Sequence, residues 1–236
     1  MKCSKRQAGT MFFAAAALSL SIPFCSFANP LPMNVPIYAS DSEASPAAEN
    51  AGTKEAVVPQ GSWNGTMFTN EAAKYQFSLP AGWSAASNDM LSMSMDLIGM
   101  MNLPGITLDF MILDSTQTQI VESFFLDTEG ENLVPAMSEY MDLETRQETL
   151  LELNSVLADS GMAITEFGPC SIAKKEGFYL TIKIDDIPEL GGGMSESVYY
   201  LDNGPSSLMC IGALSIGTSD NTAAQNAVYE YLWPIS

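Results

Sequence analysis

The sequence contains no histidine among its 236 residues. This absence excludes Ser-His-Asp and Cys-His nucleophilic sites and acid–base catalysis by imidazole. It also removes the commonest protein ligand from zinc, copper(II) and iron sites. No other catalytic or cofactor motif stands out, so we expect a protein that is not an enzyme and holds no cofactor.

Basic residues are also scarce: there are 9 Lys and Arg against 28 Asp and Glu, and the net charge is −19. Nucleic acids and anionic membranes are bound through clusters of Lys and Arg, which neutralise phosphate groups. The charge balance therefore predicts no binding to nucleic acid. It fits a solvated extracellular surface, or one that attracts cations.

The sequence has no long apolar run. At the N-terminus, Lys2, Lys5 and Arg6 precede a short apolar stretch and a small-residue site that ends at Ala28. This pattern predicts a secretory signal peptide over residues 1–28. Removal of this segment would lower the net charge from −19 to −22, because its charged residues are three basic ones and it contains no Asp or Glu. We expect a secreted or extracytoplasmic protein with no membrane span in the mature chain. A Pro-, Ala-, Ser- and Glu-rich spacer over residues 29–60 and one folded domain over residues 61–236 would follow.

Cysteine is rare as well. Two of the four cysteines lie in the predicted signal peptide, which leaves Cys170 and Cys210. An even count in an exported protein is compatible with a disulfide. Two buried thiols on separate strands fit the sequence equally well, and the spacing alone does not decide between them.

The domain is organised around residues 68–83. Tyr75, Phe77 and Leu79 alternate with polar residues, as in a half-buried strand, and Pro80 with Gly82 predicts the turn that ends it. The later periodicities predict a Met-rich helix over 90–101, a hairpin over 106–126 and a helical region over 134–160. Four strands (162–172, 177–185, 195–201 and 207–216) and a terminal helix follow. A first strand over 63–69 precedes all of these, and residues 187–194 are predicted to form a flexible glycine connection.

This order, combined with the sequence Y-Q-F-S-L-P-A-G-W at residues 75–83, resembles the PsbP-like α/β/α sandwich. The resemblance covers about residues 62–233, and its local signature is residues 70–83. It implies an α+β fold in which an antiparallel sheet is flanked by helices. It also implies binding or assembly rather than chemistry, since the family shares no catalytic residues that could be carried over.

Two metal sites deserve consideration. Met90, Met93 and Met95 offer thioethers, which favour copper(I), although methionines also fill irregular cores. Asp127, Glu129 and Glu131 offer oxygens to calcium, although their spacing departs from that of an EF-hand loop. The plainer interpretations are an adaptable apolar helix and a solvated turn.

Carboxylate pairs for glycoside hydrolysis, Asp185 with Asp186 or Asp109 with Asp114, are the least expected site, because neighbouring strand residues point to opposite faces. A sugar- or peptide-binding face could be lined by Trp63, Trp83, Tyr199 and Tyr200. We therefore expect an exported, non-catalytic binding module with an unknown protein or cell-wall partner. The alternative is a metal-binding envelope protein.

Overall fold

The structure is a computed structural model that describes residues 58–100, 105–128, 134–135, 143–157, 161–187 and 191–235. The described helices are α1 (Asn88–Met100), α2 (Leu143–Leu157) and α3 (Thr222–Tyr231). The strands are β1 (Ser62–Asn64), β2 (Met67–Asn70), β3 (Tyr75–Ser78), β4 (Trp83–Ala85), β5 (Ile106–Asp114), β6 (Gln119–Asp127), β7 (Met162–Ile172), β8 (Lys175–Ile187), β9 (Gly192–Asp202), β10 (Ser207–Ile216) and β11 (Leu232–Pro234).

A seven-stranded antiparallel sheet forms the centre of the fold, in the order β4-β5-β6-β10-β9-β8-β7. Strand β10 is buried at every position, and its sequence S-L-M-C-I-G-A-L-S-I is almost continuously apolar. Such a run is typical of a strand covered on both faces. The large sheet therefore has two buried sides, each with its own core.

One side, here called the helix face, is covered by α1 and α2. Met90, Leu91 and Met95 of α1 and Leu150 and Leu157 of α2 pack against it. The sheet contributes side chains that alternate along each strand, among them Leu108, Phe124, Val198, Tyr200 and Leu214. Burial of this apolar stripe, rather than local helix propensity, holds α1 and α2 in place.

The opposite side, here called the small-sheet face, is covered by a four-stranded sheet in the order β1-β2-β3-β11 and by α3. The alternation predicted around residue 77 is confirmed, because Tyr75 and Phe77 are both fully buried. The Ser197 hydroxyl anchors α3: it accepts hydrogen bonds from Gln225 Nε2 at 2.7 Å and Asn221 Nδ2 at 3.0 Å.

The single strand predicted over residues 63–69 is wrong. Gly65 adopts φ +60, and the chain turns there to form the β1–β2 hairpin, in which Trp63 pairs with Phe68. Positive φ is easily adopted by glycine and strained for most other residues. The turn therefore lies at the glycine, inside what the apolar pattern alone presents as one strand.

The flexible connection predicted over residues 187–194 is also wrong in part, because Gly192 and Gly193 belong to β9. A methyl group on Gly192 would lie 2.4 Å from the Gly217 carbonyl oxygen, and one on Gly193 would lie 2.7 Å from the Ile184 carbonyl oxygen. These glycines are needed for close backbone approach within the sheet, not for flexibility.

Strand β7 forms one edge of the large sheet, and its backbone is partly occupied by a side chain. Asn154 of α2 donates from Nδ2 to the Ile164 carbonyl oxygen at 2.8 Å and accepts from the Ile164 N–H at 2.7 Å. The amide thus replaces both hydrogen bonds that a neighbouring strand would make. Pro169, farther along β7, has no N–H to offer, so this edge is protected against pairing.

A bulge in β5 turns Asp109 toward the small sheet. The register with β6 shifts between Leu108 and Phe110, so that Asp109 and Phe110 both face the same side. The Asp109 carboxylate accepts hydrogen bonds from the Gly61 N–H at 2.7 Å, from Asn70 Nδ2 at 2.9 Å and from the Tyr75 hydroxyl. Burial raises the pKa of Asp109, and these hydrogen bonds partly offset the rise.

The predicted fold class, an α+β fold with an antiparallel sheet flanked by helices, is confirmed. The folded region extends upstream to Val58, which is buried in the core of the small-sheet face. Residues 1–57, which include the predicted signal peptide and most of the spacer, lie outside the described residues. Within the described segments, no helix is long and apolar enough to cross a membrane.

Replacing Asp109 tests whether the bulge holds the two sheets together. Asp109→Ala leaves the Gly61, Asn70 and Tyr75 donors without their buried acceptor, so we expect a loss of about 3 kcal/mol of unfolding free energy. Urea unfolding measures it. The exposed Asp185→Ala serves as control and should cost less than about 0.5 kcal/mol. Equal midpoints for the two variants would contradict a structural role of Asp109.

Candidate functional site

Three tyrosines form a row on the small-sheet face, beside α3. Tyr179 of β8 and Tyr199 of β9 are cross-strand neighbours with ring centroids 5.9 Å apart. Tyr229 of α3 meets Tyr199 edge-on, with centroids 5.5 Å apart. The row therefore runs from β8 through β9 to the surface of α3.

Burial raises the pKa of all three tyrosines in the row. At Tyr199, the neighbouring Tyr229 adds to the rise in pKa that burial causes. All three rings are therefore neutral hydrogen-bonding groups at physiological pH, not candidates for a tyrosinate nucleophile.

Arg146 reaches around the protected sheet edge to the same side. A methyl group on Gly168 of β7 would lie 3.0 Å from Arg146 Nη1 and 3.3 Å from Tyr179 Cε1. Gly168 therefore leaves the space in which the guanidinium lies beside the Tyr179 ring. The Arg146 Nε atom is buried and has no hydrogen-bond partner among the described residues.

The exposed end of the row lies at Tyr229, which is 53% exposed, and Trp233 of β11 in the same C-terminal segment is 51% exposed. Among the described residues, the only other large apolar side chain that is as exposed is Leu151 of α2, at 74%. We call Arg146, Tyr179, Tyr199 and Tyr229 the tyrosine face. It combines aromatic rings with a guanidinium, the residue types that dominate binding hot spots.

Two buried glutamates form a separate cluster on the helix face. Glu122 of β6 and Glu196 of β9 are 0% and 1% exposed. A methyl group on Gly212 of β10, the strand between them, would lie 3.1 Å from Glu122 Oε1 and 3.2 Å from Glu196 Oε1. Burial raises the pKa of Glu122 well above its ordinary value, and the charge of Glu196 raises it further.

The predicted copper(I) site is not assembled in the described part of α1. Met90 and Met95 pack against the core of the helix face. The Met95 sulfur also accepts a hydrogen bond from the Leu108 N–H at 3.4 Å. The side chain of Met93 lies outside the described set. The plainer interpretation, an adaptable apolar helix, describes Met90 and Met95.

The predicted calcium loop can be followed only at its start. Asp127 is the last residue of β6, and its backbone N–H donates to the Gly105 carbonyl oxygen at 2.7 Å. Glu129 and Glu131 lie outside the described residues. Within the described ranges, no three His, Cys, Asp or Glu residues are grouped as they would be around a metal ion.

A disulfide between Cys170 and Cys210 is excluded by the strand order: both cysteines are free. Cys170 lies on β7 and Cys210 on β10, with β8 and β9 between them. Three strand spacings amount to roughly 14 Å, whereas a disulfide needs Cα atoms within about 7 Å. The two side chains also belong to opposite faces of the sheet.

The remaining predicted groupings do not converge. Asp109 lies in the β5 bulge and is hydrogen-bonded to the small sheet. Asp114 accepts a hydrogen bond from the Thr118 N–H at 2.8 Å in the β5–β6 turn. Tyr199 and Tyr200 point to opposite faces, and Tyr200 is buried in the core of the helix face. Trp63 packs on Phe68 in the small sheet, and Trp83 lies on β4 at the far edge of the large sheet. Of that predicted face, only Tyr199 belongs to the tyrosine face.

Comparisons with known proteins point to the fold alone. No family model matches the chain, and no curated protein matches its sequence. The fold is similar to the solution structure of PsbP from the cyanobacterium Synechocystis, with 11% identity and a TM-score of 0.41 over 74% of this chain and 98% of that one. It is also similar to a Bacteroides thetaiotaomicron protein, with 9% identity and a TM-score of 0.36 over 73% of this chain and 49% of the other. This chain thus matches about half the length of the Bacteroides protein. At such similarity, neither structure carries a ligand or an activity over to this chain.

The cysteines yield a direct test. Burial raises the pKa of the Cys170 thiol to about 12 and that of Cys210 further. At pH 8 only about one Cys170 in ten thousand would be a thiolate, so native protein should resist alkylation and unfolded protein should not. Thiol titration in denaturant should give the same count with and without prior reduction. A lower count without reduction would reveal a disulfide.

Proposed function

We propose that this protein is an exported, non-catalytic binding module that contacts a cell-wall partner through the tyrosine face. The observation that carries the proposal is the Tyr179–Tyr199–Tyr229 row, which ends in a ring that is 53% exposed and continues to Arg146 at its other end. Export is inferred from the N-terminal pattern of residues 1–28.

The row has the properties of a preformed contact surface. Tyrosine supplies a large ring and a hydroxyl at low conformational-entropy cost, and these rings are fixed by two strands and a helix. Tyr199 is almost fully buried beneath its neighbours, so the exposed Tyr229 ring rests on a rigid base. A ligand would meet a surface that needs little rearrangement.

The distribution of charge supports ligand binding at the tyrosine face. The predicted mature chain has a net charge of −22, yet Arg146 lies directly beside Tyr179. The negative surface elsewhere repels polyanions, whereas the guanidinium can donate hydrogen bonds to ligand carbonyl or hydroxyl oxygens. A polar, uncharged glycan with carbonyl-bearing substituents meets both conditions. The metal-binding alternative has no comparable support among the described residues.

Binding to purified cell-wall glycan tests the proposal. We expect the protein to co-sediment with the wall material and to show a saturable increase in melting temperature with soluble wall fragments. Tyr229→Ala removes the exposed end of the row and should weaken binding about ten- to thirtyfold, the size of a hot-spot loss.

Leu151→Ala is the matched control, because Leu151 is a similarly exposed apolar residue on α2. It should bind as the unchanged protein does. Equal affinities for Tyr229→Ala and Leu151→Ala would rule out the tyrosine face as the contact surface. Absence of binding by the unchanged protein would rule out the cell-wall partner.

A further inference from the structure

The β8 end of the tyrosine face carries two charged side chains around one ring. Gly168 of β7 pairs with Tyr179 of β8, and Glu166 lies two residues before Gly168 on the same strand. Alternate residues of a strand share a face, so Glu166 lies on the side of the sheet that Tyr179 occupies. The Arg146 guanidinium lies above Gly168, where a methyl group would be 3.0 Å from Arg146 Nη1 and 3.3 Å from Tyr179 Cε1. A guanidinium and a carboxylate are therefore neighbours of the same tyrosine.

Both charged side chains are close enough to act on the Tyr179 hydroxyl. Burial raises the pKa of Tyr179, the Glu166 carboxylate raises it further, and the Arg146 guanidinium opposes the rise. Among the described residues, the buried Arg146 Nε atom has no hydrogen-bond partner, and Arg146 and Glu166 form no ion pair. Glu166 is exposed and Tyr179 is partly exposed. This end of the face therefore offers a ligand hydrogen-bond donors, an acceptor and part of an aromatic ring.

Charge limits the ligands that this end can hold. The chain has a net charge of −19, so a ligand carboxylate is repelled by the protein as a whole. A ligand ammonium group could pair with Glu166, but it would repel Arg146 and leave the guanidinium without an acceptor. An uncharged group that has both a carbonyl oxygen and an N–H avoids these penalties, because Arg146 can donate to the oxygen and Glu166 can accept from the N–H.

We infer that the β8 end of the tyrosine face recognises the acetamido group of an N-acetylated amino sugar, an inference that rests on the wall-glycan function proposed above. The Arg146 guanidinium donates to the acetyl carbonyl oxygen, and the Glu166 carboxylate accepts from the amide N–H. The acetyl methyl group packs on the Tyr179 ring. Arg146 thus determines which sugars are held, whereas the exposed Tyr229 provides contact area for any sugar.

Removal of the acetyl groups from the ligand tests this inference. Soluble fragments of purified wall glycan are compared after full N-acetylation with acetic anhydride and after chemical de-N-acetylation, which leaves an ammonium group in place of each acetamido group. Titrations at an ionic strength of about 0.15 M screen the long-range attraction between the acidic protein and the cationic glycan. We expect the unchanged protein to bind the de-N-acetylated glycan about tenfold or more weakly than the acetylated one.

Variants of Arg146 test the same inference on the protein side. Arg146→Gln removes the charge, so the ratio of the affinities for acetylated and de-N-acetylated glycan should fall about tenfold. Arg146→Lys keeps the charge but lacks the planar fork of donors, so it should bind acetylated glycan more weakly and still reject the ammonium form. Gly168→Ala should displace the guanidinium and change the ratio in the same direction as Arg146→Gln.

Two controls separate the inference from the proposed function. Tyr229→Ala should weaken binding of both glycan forms by the same factor and leave their ratio unchanged. Lys174→Gln removes an exposed positive charge from the turn between β7 and β8 and should alter neither affinity. Urea unfolding shows which variants keep the stability of the unchanged protein, and only these are compared.

The possible failures are distinguishable. If the unchanged protein binds neither form of the glycan, the wall-glycan function is wrong and the inference fails with it. If it binds both forms equally well, or if stable Arg146→Gln keeps the full affinity ratio, the wall-glycan function stands and the acetamido inference alone is overturned. Tighter binding of the de-N-acetylated form would overturn it in favour of an ammonium ligand.

Discussion

The attachment of the small sheet to the large one depends on the carboxylate of Asp109. The bulge in β5 supplies one extra residue, and this residue brings a carboxyl group to a position that regular alternation would give to an apolar side chain. Around it meet the upstream segment at Gly61, the β2 residue Asn70 and the β3 residue Tyr75. The aromatic rings packed nearby stabilise the contact by burying apolar surface, but this interaction is non-directional. The hydrogen bonds to Asp109 are directional, and they fix where each element lies.

The tyrosine face and the glutamate pair are two results of the same strand. Along β9, Glu196, Val198 and Tyr200 face the helices, while Tyr199 faces α3. One strand thus places an ionisable group deep in one core and an aromatic ring in a row that reaches the surface on the other side. No side chain belongs to both groups.

The sequence predicts the order of the elements well and their assembly less well. Alternation at Tyr75 and Phe77, the helix over 90–101 and the last four long strands follow from periodicity, which is local. The local sequence around Gly65 looks like a continuous strand, so it does not reveal the β1–β2 turn. The local sequence around Gly192 looks like a linker, so it does not reveal that this residue belongs to β9. The tyrosine face was missed, apart from Tyr199, because it joins α2, two strands and α3. The only available signal for the glutamates was an acidic residue within an otherwise apolar strand, such as Glu122.

The edge of the large sheet has a consequence for the protein at high concentration. The Asn154 side chain is hydrogen-bonded to both backbone groups of Ile164, and Pro169 has no backbone N–H. A strand from a second copy of the chain therefore cannot form a continuous series of backbone hydrogen bonds along β7. Joining of copies through this edge is therefore disfavoured. What such copies present to one another is their shared negative charge, so a dense population of this protein would behave as a set of mutually repelling particles.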